Sequence, residues 1–245
     1  SYGTGTQKLE KEIEKLFPHA AIQRMDSDTT SRRGTQEKIL QALEDREIDI
    51  LIGTQMITKG HDFPFITLVG VIAADTSLNM PDFRAAEKTF QLITQVAGRG
   101  GRGKTPGKVI IQTFTPLHYA LQHAQNHDYK AFYEEEIGFR KALQYPPFSR
   151  IINLRLSSVK KEVLIEDTKN LAKLAKRLCA RHNNIAEIIG PAESPLSKIR
   201  GRFRWQMLIK GRDINALHQI AKDVMNKNKN LQIKITVDVD PENFM

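Results

Sequence analysis

Cysteine, aromatic residues and long apolar runs are all scarce in this 245-residue chain. A single cysteine, Cys179, excludes a disulfide framework and any zinc site built from several cysteines of this chain. No apolar run approaches the roughly 18 residues of a membrane-spanning helix, and no signal-peptide core is recognisable near residue 1. The sequence therefore predicts a cytoplasmic protein with no membrane partner.

The composition is that of an ordinary globular protein, with 40% hydrophobic and 27% charged residues. Its length predicts one large domain or two small ones. The net charge of +9 is unevenly distributed, because residues 1–150 carry 19 Lys+Arg against 18 Asp+Glu, whereas residues 151–245 carry 18 against 10. The basic C-terminal part is typical of a surface that meets a polyanion, although a lysine-rich surface kept for solubility would look the same.

Helix-like and strand-like segments alternate along the first 115 residues, which predicts an α/β domain with a mostly parallel sheet. The segments 48–53 and 68–74 are apolar throughout, so these two strands are expected to be covered on both faces. Thr6 is expected to N-cap the first helix. Further strands are predicted at 20–25 and 108–113, and further helices at about 34–46 and 82–97.

Two helices are predicted between 116 and 143, and Pro146-Pro147 then interrupts the chain. We therefore predict domains at 1–147 and 148–245. The second domain has the element order βαββαβ, which is that of a ferredoxin-like fold. Its strands are expected at 151–156, 185–189, 204–210 and 233–238, with helices at about 161–181 and 213–226.

Residues Gly98–Thr105 match the Walker A pattern G-x-x-x-x-G-K-[ST] letter for letter. A phosphate loop must leave a strand and open into a helix, so that backbone amides surround the phosphates. Here the preceding residues continue a helical pattern, and Pro106-Gly107 and a strand follow. We therefore expect that Lys104 does not belong to a phosphate loop.

The same segment contains Q-x-x-G-R-x-G-R, formed by Gln95, Gly98, Arg99 and Arg102. Two arginines three residues apart can face the same way, and their planar guanidinium groups suit bidentate contact with phosphate. That phosphate could belong to a nucleotide or to a nucleic-acid backbone. A second group of polar residues, Thr54–Pro64 (TQMITKGHDFP), follows a predicted strand, where ligands of parallel α/β sheets gather.

GTQMITKGHDFP resembles motif V, and QVAGRGGRG motif VI, of superfamily 2 helicases. The segments GTGTQKLE, RMDSDTTSRRG, YPPFSR and GPAESPLSKIRGRFRWQ narrow this resemblance to the C-terminal part of the primosomal replication-restart DNA helicases. The resemblance covers residues 3 to about 241. It implies a RecA-like second helicase lobe, incomplete at its first strand, followed by the C-terminal domain. A first lobe with the true Walker A and a cysteine-rich zinc insertion would lie upstream.

On the nucleotide side, the resemblance implies that Gln95, Gly98, Arg99 and Arg102 face ATP bound to the other lobe. Arg102 or Arg99 would be the arginine finger, and ATP and Mg²⁺ would need that missing lobe. Gly60 and Asp62 would contact the nucleotide and couple it to DNA. We therefore expect the 245-residue chain alone to hydrolyse no ATP, and to hold no zinc.

On the DNA side, the resemblance implies backbone contacts from Thr54 and Gln55, with Thr6 and Thr30 as further candidates. The implied function is an ATP-dependent 3′→5′ helicase that restarts abandoned replication forks and helps to load the replicative helicase. Its partners would be forked and single-stranded DNA, single-strand-binding protein and other primosome proteins, and it would act at the nucleoid. The alternatives are a noncatalytic DNA- and protein-binding module and another superfamily 2 helicase lobe.

The loop 198–206 places four cations among two aromatic residues, which suits nucleic acid or an acidic, hydrophobic peptide. Arg202 and Gln206 are the expected partner contacts, whereas strand alternation places Trp205 in the core. His123 and His127 have zinc-compatible spacing but are expected to be a surface pair. Cys179 is expected to be buried, and Glu134–Glu136 to form a solvated helix face.

Overall fold

The computed structural model describes residues 3–26, 29–30, 34–54, 65–98, 107–181, 184–226 and 232–244. The chain forms two compact units, of which the first comprises Ser1–Ala74 and Phe90–Pro116 and the second Asp75–Thr89 and Leu117–Met245. The predicted boundary near residue 148 falls inside the second unit, because the two helices before it group with the C-terminal sheet. Within the described ranges, no helix is both long and apolar enough to span a bilayer.

The first unit is an α/β arrangement of short parallel strands, as predicted. Its elements are α1 (Gly3–Leu16), β1 (Ile22–Met25), α2 (Thr35–Glu44), β2 (Ile50–Gly53), β3 (Leu68–Val71), α4 (Ala85–Ala97, from Phe90 onward) and β4 (Lys108–Ile111). Strands β1 and β2 pair in parallel, as do β3 and β4. Each pair is connected through a helix, because parallel strands need a crossover between them.

A small apolar core lies beside the first strand pair. It consists of Met25 from β1 and Ile39, Leu40 and Leu43 from α2, each at most 7% exposed. The i, i+1, i+4 spacing of the three α2 residues places them on one helix face, as the sequence predicted. This packing holds the carboxyl ends of β1 and β2 at one edge, with Met25 opposite Gly53.

The expectation that both apolar strands are covered on both faces is wrong for β3. Leu68 is 58% exposed, Ile72 just beyond the strand is 57% exposed, and Ile110 on the partner strand is 50% exposed. The described strands form two separate pairs rather than one continuous sheet. A two-stranded pair has no inner strand, so local apolar character does not by itself produce burial on both faces.

The second unit is built around a four-stranded antiparallel sheet. Its elements are α3 (Asp75–Leu78), α5 (Tyr119–Gln125), α6 (Tyr129–Ala142), β5 (Arg150–Ser158), α7 (Lys161–Arg181), β6 (Ala186–Ile199), β7 (Arg202–Gly211), α8 (Ile214–Asn226) and β8 (Lys234–Val239). The strands lie in the order β6-β7-β5-β8. The two helices predicted between 116 and 143 are present as α5 and α6.

Helices α7 and α8 pack on one face of this sheet and form the largest core with it. The central strands contribute Ile152, Leu154, Leu156, Met207 and Ile209, all at most 1% exposed. Cys179 of α7 is buried in this core, and Trp205 packs against it, as predicted. Since side chains alternate along a strand, Arg155 and Gln206 project from the opposite face.

Gly211 ends β7 at a place where a side chain does not fit. A Cβ atom there would lie 2.8 Å from the Ile185 carbonyl oxygen and 3.0 Å from Leu217 Cδ2. We expect Gly211→Ala to lower the free energy of unfolding by about 1–3 kcal/mol, as overpacking does. Gly138→Ala is the matched control, because nothing lies within 4 Å of its Cβ position in α6. That variant should stabilise the protein by about 0.5–1 kcal/mol in urea unfolding, and equal effects of both variants would contradict the prediction.

Candidate nucleotide and nucleic-acid interface

Helix α4 leads directly into the predicted motif VI. Its buried residues Phe90, Ile93 and Val96 fix one face of the helix, and Gln95 is exposed on another. The backbone N–H of Gly98 donates to the Thr94 carbonyl at 3.0 Å, so the helical hydrogen bonding continues to this glycine. The structure thus places Gln95 and Gly98 at the end of α4, whereas Arg99 and Arg102 lie outside the described residues.

The elements described on both sides of residues 99–106 differ from those that flank a phosphate loop. Helix α4 precedes this segment where a strand is required, and β4 follows it where a helix is required. The flanking elements are thus a helix and a strand, as the sequence predicted, and the prediction that Lys104 does not belong to a phosphate loop stays a prediction.

The candidate DNA contacts converge at the carboxyl edge of the β1–β2 pair. Thr54 follows β2 and is half-buried, and Asp26 follows β1 at the same edge. The Thr6 hydroxyl donates to Asp26 Oδ2 at 2.7 Å, and the Thr30 hydroxyl donates to the Asp26 carbonyl oxygen at 2.6 Å. Three predicted residues from separate parts of the chain therefore lie around one strand edge. Gln55, Gly60 and Asp62, predicted for the same region, lie outside the described residues.

The expected N-cap role of Thr6 is wrong. Helix α1 begins at Gly3, so Thr6 lies inside its first turn rather than before it. Its hydroxyl hydrogen bond goes to Asp26, which lies 20 residues further along the chain. A hydroxyl has one proton to donate. With the Thr6 and Thr30 protons bound to Asp26, a phosphate at this edge would take its hydrogen bonds from other donors, such as backbone N–H groups.

Asp26 is the central residue of this edge, and it was not singled out from the sequence. It is 2% exposed and also accepts from the Arg24 guanidinium at 3.0 Å and from the Thr29 backbone N–H at 3.1 Å. Burial alone would raise the pKa of this carboxyl, but the Thr6 and Thr29 hydrogen bonds and the Arg24 charge outweigh burial and lower the pKa. Asp26 is therefore ionised and holds α1, β1 and the following turn together. The Asp-x-x-Thr spacing was the available local signal.

The predicted partner contacts Arg202 and Gln206 lie on the sheet face turned away from α7 and α8. Arg202 donates from Nη2 to the Ser157 carbonyl at 3.2 Å and from Nε to the Ser157 hydroxyl at 3.4 Å. Gln206 is only 7% exposed, and its Oε1 atom has no hydrogen-bond partner among the described residues. Asn153 on the adjacent strand is also buried, and neither its Oδ1 nor its Nδ2 atom has a hydrogen-bond partner among the described residues. Gln206 is thus largely buried in this chain, and its partner contact stays a prediction.

The aromatic residues of the basic loop face the core. Phe203 and Trp205 pack against the cluster formed with α7 and α8. Trp205 faces the core as predicted, and neither ring lies on the sheet face that carries Arg202 and Arg204. The cations of this loop remain half-buried or exposed.

Helices α5 and α6 form a separate polar cluster. The Tyr119 hydroxyl donates to the Glu136 carboxylate at 2.6 Å, and the Arg140 guanidinium donates to it at 2.7 Å. Glu136 is buried. The expectation of a solvated Glu134–Glu136 face is therefore wrong at Glu136. His123 pairs with Glu135 at 2.9 Å, and α5 ends at Gln125, before His127. Among the described residues, no group of three potential metal ligands is present.

Two family models match the chain. The model of the helicase conserved C-terminal domain matches residues 2–104, and the model of the primosomal protein N C-terminal domain matches residues 141–242. Together they cover the strand edge at Asp26, the end of α4 and the antiparallel sheet. The first model contains both segments that resemble helicase motifs.

Curated relatives match along the chain. The replication restart protein PriA of Bacillus subtilis is 45% identical over 100% of the chain and 30% of its own length. The PriA proteins of Synechocystis and Treponema pallidum are 43% and 37% identical over 85% and 99% of the chain, and over 25% and 36% of their own lengths. The chain thus spans about a third or less of these relatives, at their C-terminal part. It belongs to the replication restart protein PriA family.

Proposed function

We propose that this chain is the C-terminal part of an ATP-dependent 3′→5′ DNA helicase that restarts stalled replication forks and helps to load the replicative helicase. The observation that carries this proposal is the 45% identity to a replication restart protein along the entire chain. The match of residues 2–104 to the helicase conserved C-terminal domain supports it independently, because that region includes both helicase-like motifs.

In this proposal the chain supplies one side of an ATP site, and a first helicase lobe supplies the other. Gln95, Gly98, Arg99 and Arg102 face the nucleotide across the interface between lobes, and Gly60 and Asp62 couple it to DNA. ATP with Mg²⁺ supplies the phosphoryl group that is hydrolysed. Arg102 or Arg99 stabilises the negative charge that develops on the phosphoryl oxygens. The helix α4 before residues 99–106 and the strand β4 after them support this division of roles.

DNA binding is assigned to two places. The carboxyl edge of the β1–β2 pair, with Thr54 and Gln55, takes the strand along which the motor moves. The basic second unit, which we propose to be ferredoxin-like, binds forked DNA and, at Arg202 and Gln206, single-strand-binding protein. The strand order β6-β7-β5-β8 supports this fold assignment, and the half-buried guanidinium side chain of Arg202 supports a contact with an acidic peptide.

A noncatalytic DNA- and protein-binding module is the second candidate function. It is favoured by the charge distribution, since residues 151–245 hold nearly all of the excess positive charge. The two candidates differ in what Arg99 and Arg102 do. As motor residues they act on ATP, whereas as backbone contacts they would strengthen DNA binding and steepen its salt dependence.

We expect the 245-residue chain to hydrolyse no ATP, with or without forked DNA. The Lys104→Ala variant should show the same absence of ATP hydrolysis. The physical reason is that the chain holds only one side of the proposed site. The measurement is phosphate release under steady-state conditions, followed by addition of a separately produced first lobe. DNA-stimulated turnover that disappears in Lys104→Ala would make Gly98–Thr105 a true phosphate loop and contradict the proposal.

A further inference from the structure

Strands β6 and β7 are joined by a two-residue turn. Lys198 pairs with Phe203 and Ile199 with Arg202, which leaves only Arg200 and Gly201 between the strands. Both turn residues have positive φ, 47° and 78°, the arrangement that matches the twist of a two-residue hairpin. The tip is therefore a preordered ribbon rather than a flexible loop. We call residues 198–204 the basic hairpin.

The basic hairpin carries uncompensated positive charge. Four of its seven residues are Lys or Arg, and none is acidic. Two acidic residues near the hairpin are already paired, Glu193 with Lys161 at 3.7 Å and Asp238 with Arg155 at 2.6 Å. An anion from outside the chain would compensate the remaining charge.

Arg204 shows this imbalance most clearly. Its half-buried guanidinium has no hydrogen-bond or ion-pair partner within the described ranges. Burial, and then the neighbouring Arg155 charge, lower the pKa of Arg204. A partly desolvated guanidinium beside a second positive charge is energetically unfavourable unless an anion binds to it. The guanidinium fork suits the two oxygens of a phosphate.

The orientation of the aromatic residues selects duplex over single-stranded nucleic acid. Single-strand binding without sequence preference relies on exposed rings on which bases stack. Phe203 is instead partly buried against the core, and the Lys198 and Lys161 amines lie 4.7 and 5.9 Å from its ring centre. The hairpin therefore presents cationic side chains but no exposed aromatic ring on which a base could stack. Such a surface suits the phosphate backbone of a duplex.

The tip has the shape that a duplex groove admits. Ile199 is 38% exposed, Arg200 is exposed, and a Cβ atom on Gly201 would meet nothing within 4 Å. A two-stranded antiparallel ribbon fits the major groove of B-DNA, which is about 12 Å wide. Lysine and arginine at its edges would reach the flanking phosphates.

We propose that the basic hairpin enters the major groove of a duplex DNA arm, with Arg200 and Lys198 on flanking phosphates and Arg204 on a phosphate at the base of the ribbon. This inference rests on the proposed function, in which the second unit binds forked DNA. It adds that the basic hairpin is the element that binds and that the bound arm of the fork is a duplex.

The test is the affinity of the 245-residue chain for a labelled blunt duplex and for a labelled oligo-dT strand, measured by fluorescence anisotropy over a range of salt. Arg200→Asn removes the charge while keeping a residue that tolerates positive φ. Arg204→Gln removes the charge at the base. We expect each variant to weaken duplex binding roughly 3- to 10-fold and to lower the salt slope by about 1, with oligo-dT binding unchanged.

Lys222→Ala is the matched control, because it removes one exposed cation from α8, on the other side of the core. Equal losses in Lys222→Ala and Arg200→Asn, or losses confined to oligo-dT, would overturn the proposal. So would variants that lose affinity only for an aspartate- and phenylalanine-rich peptide, since that outcome makes the hairpin a protein contact. Wild-type failure to bind any DNA would instead contradict the proposed function itself. Near-ultraviolet circular dichroism verifies folding.

Discussion

Arg102→Ala, placed in a longer protein that also carries the first helicase lobe, is expected to lower kcat for ATP hydrolysis by roughly 1,000-fold or more. The reason is that a guanidinium inserted onto a phosphoryl group stabilises charge that appears only in the transition state. Binding of forked DNA should change by less than about two-fold, because the residue is assigned to ATP rather than to the DNA backbone. Steady-state ATPase assays and anisotropy measure the two properties separately.

Two further variants make this expectation specific. Arg102→Lys keeps the charge but not the planar fork, so it should restore only a minor part of the activity. Arg177→Ala removes an exposed arginine from α7 and should leave ATP hydrolysis unchanged. If Arg102→Ala keeps its ATPase activity but binds DNA more weakly, with a smaller salt slope, then Arg102 is a backbone contact and the noncatalytic alternative gains support.

Asp26→Ala is expected to lower the free energy of unfolding by about 3 kcal/mol at neutral pH. The change removes a buried carboxylate and leaves Arg24, whose side chain is only 13% exposed, without that partner. It also releases the Thr6 and Thr29 hydroxyls. Urea unfolding followed by circular dichroism measures the loss. Asp49→Ala is the control, since it removes an exposed carboxylate that accepts one backbone N–H.

The effect of Asp26 should depend on pH in a defined direction. The folded-state pKa of Asp26 lies below its ordinary value of 3.8. The ionised carboxylate therefore contributes its full stability above pH 3.8, and this contribution is lost as pH falls through the lower folded-state pKa. The difference in stability between wild type and Asp26→Asn should be constant near neutral pH and shrink in strong acid. A difference that grows on acidification would show that Asp26 is not held ionised.

The spacing of apolar residues predicted the helices and strands well, because the residues that specify each of them lie close together in the sequence. The helix predicted at about 82–97 is present as α4, and the apolar segments 48–53 and 68–74 contain β2 and β3. The burial of β3 could not be predicted, since exposure of Leu68 depends on which strands lie beside it. Apolar character fixes the kind of element but not the number of its neighbours.

The candidate site was harder to predict than the fold, because its contacts join distant residues. Nothing local to Thr6 indicates that its hydroxyl belongs to Asp26, and the N-cap expectation failed for that reason. The ion pair between Glu136 and Arg140 could have been predicted from the sequence, since the two residues lie one helical turn apart. Strand alternation correctly placed Trp205 toward the core, but alternation cannot tell whether the opposite face, with Gln206, is open or covered.

The two-residue turn at Arg200-Gly201 also bears on the order in which the chain folds. A hairpin closed by two residues forms in roughly 1–10 μs, because almost no loop entropy opposes it. Parallel pairing is slower to nucleate: Ile22 meets Ile50, 28 residues away, and Leu68 meets Lys108, 40 residues away. Each parallel pair must close over an intervening helix before its first ladder bond forms. The second unit therefore contains a local nucleus at this turn, from which the more distant pairing of β5 with β7 and β8 can grow.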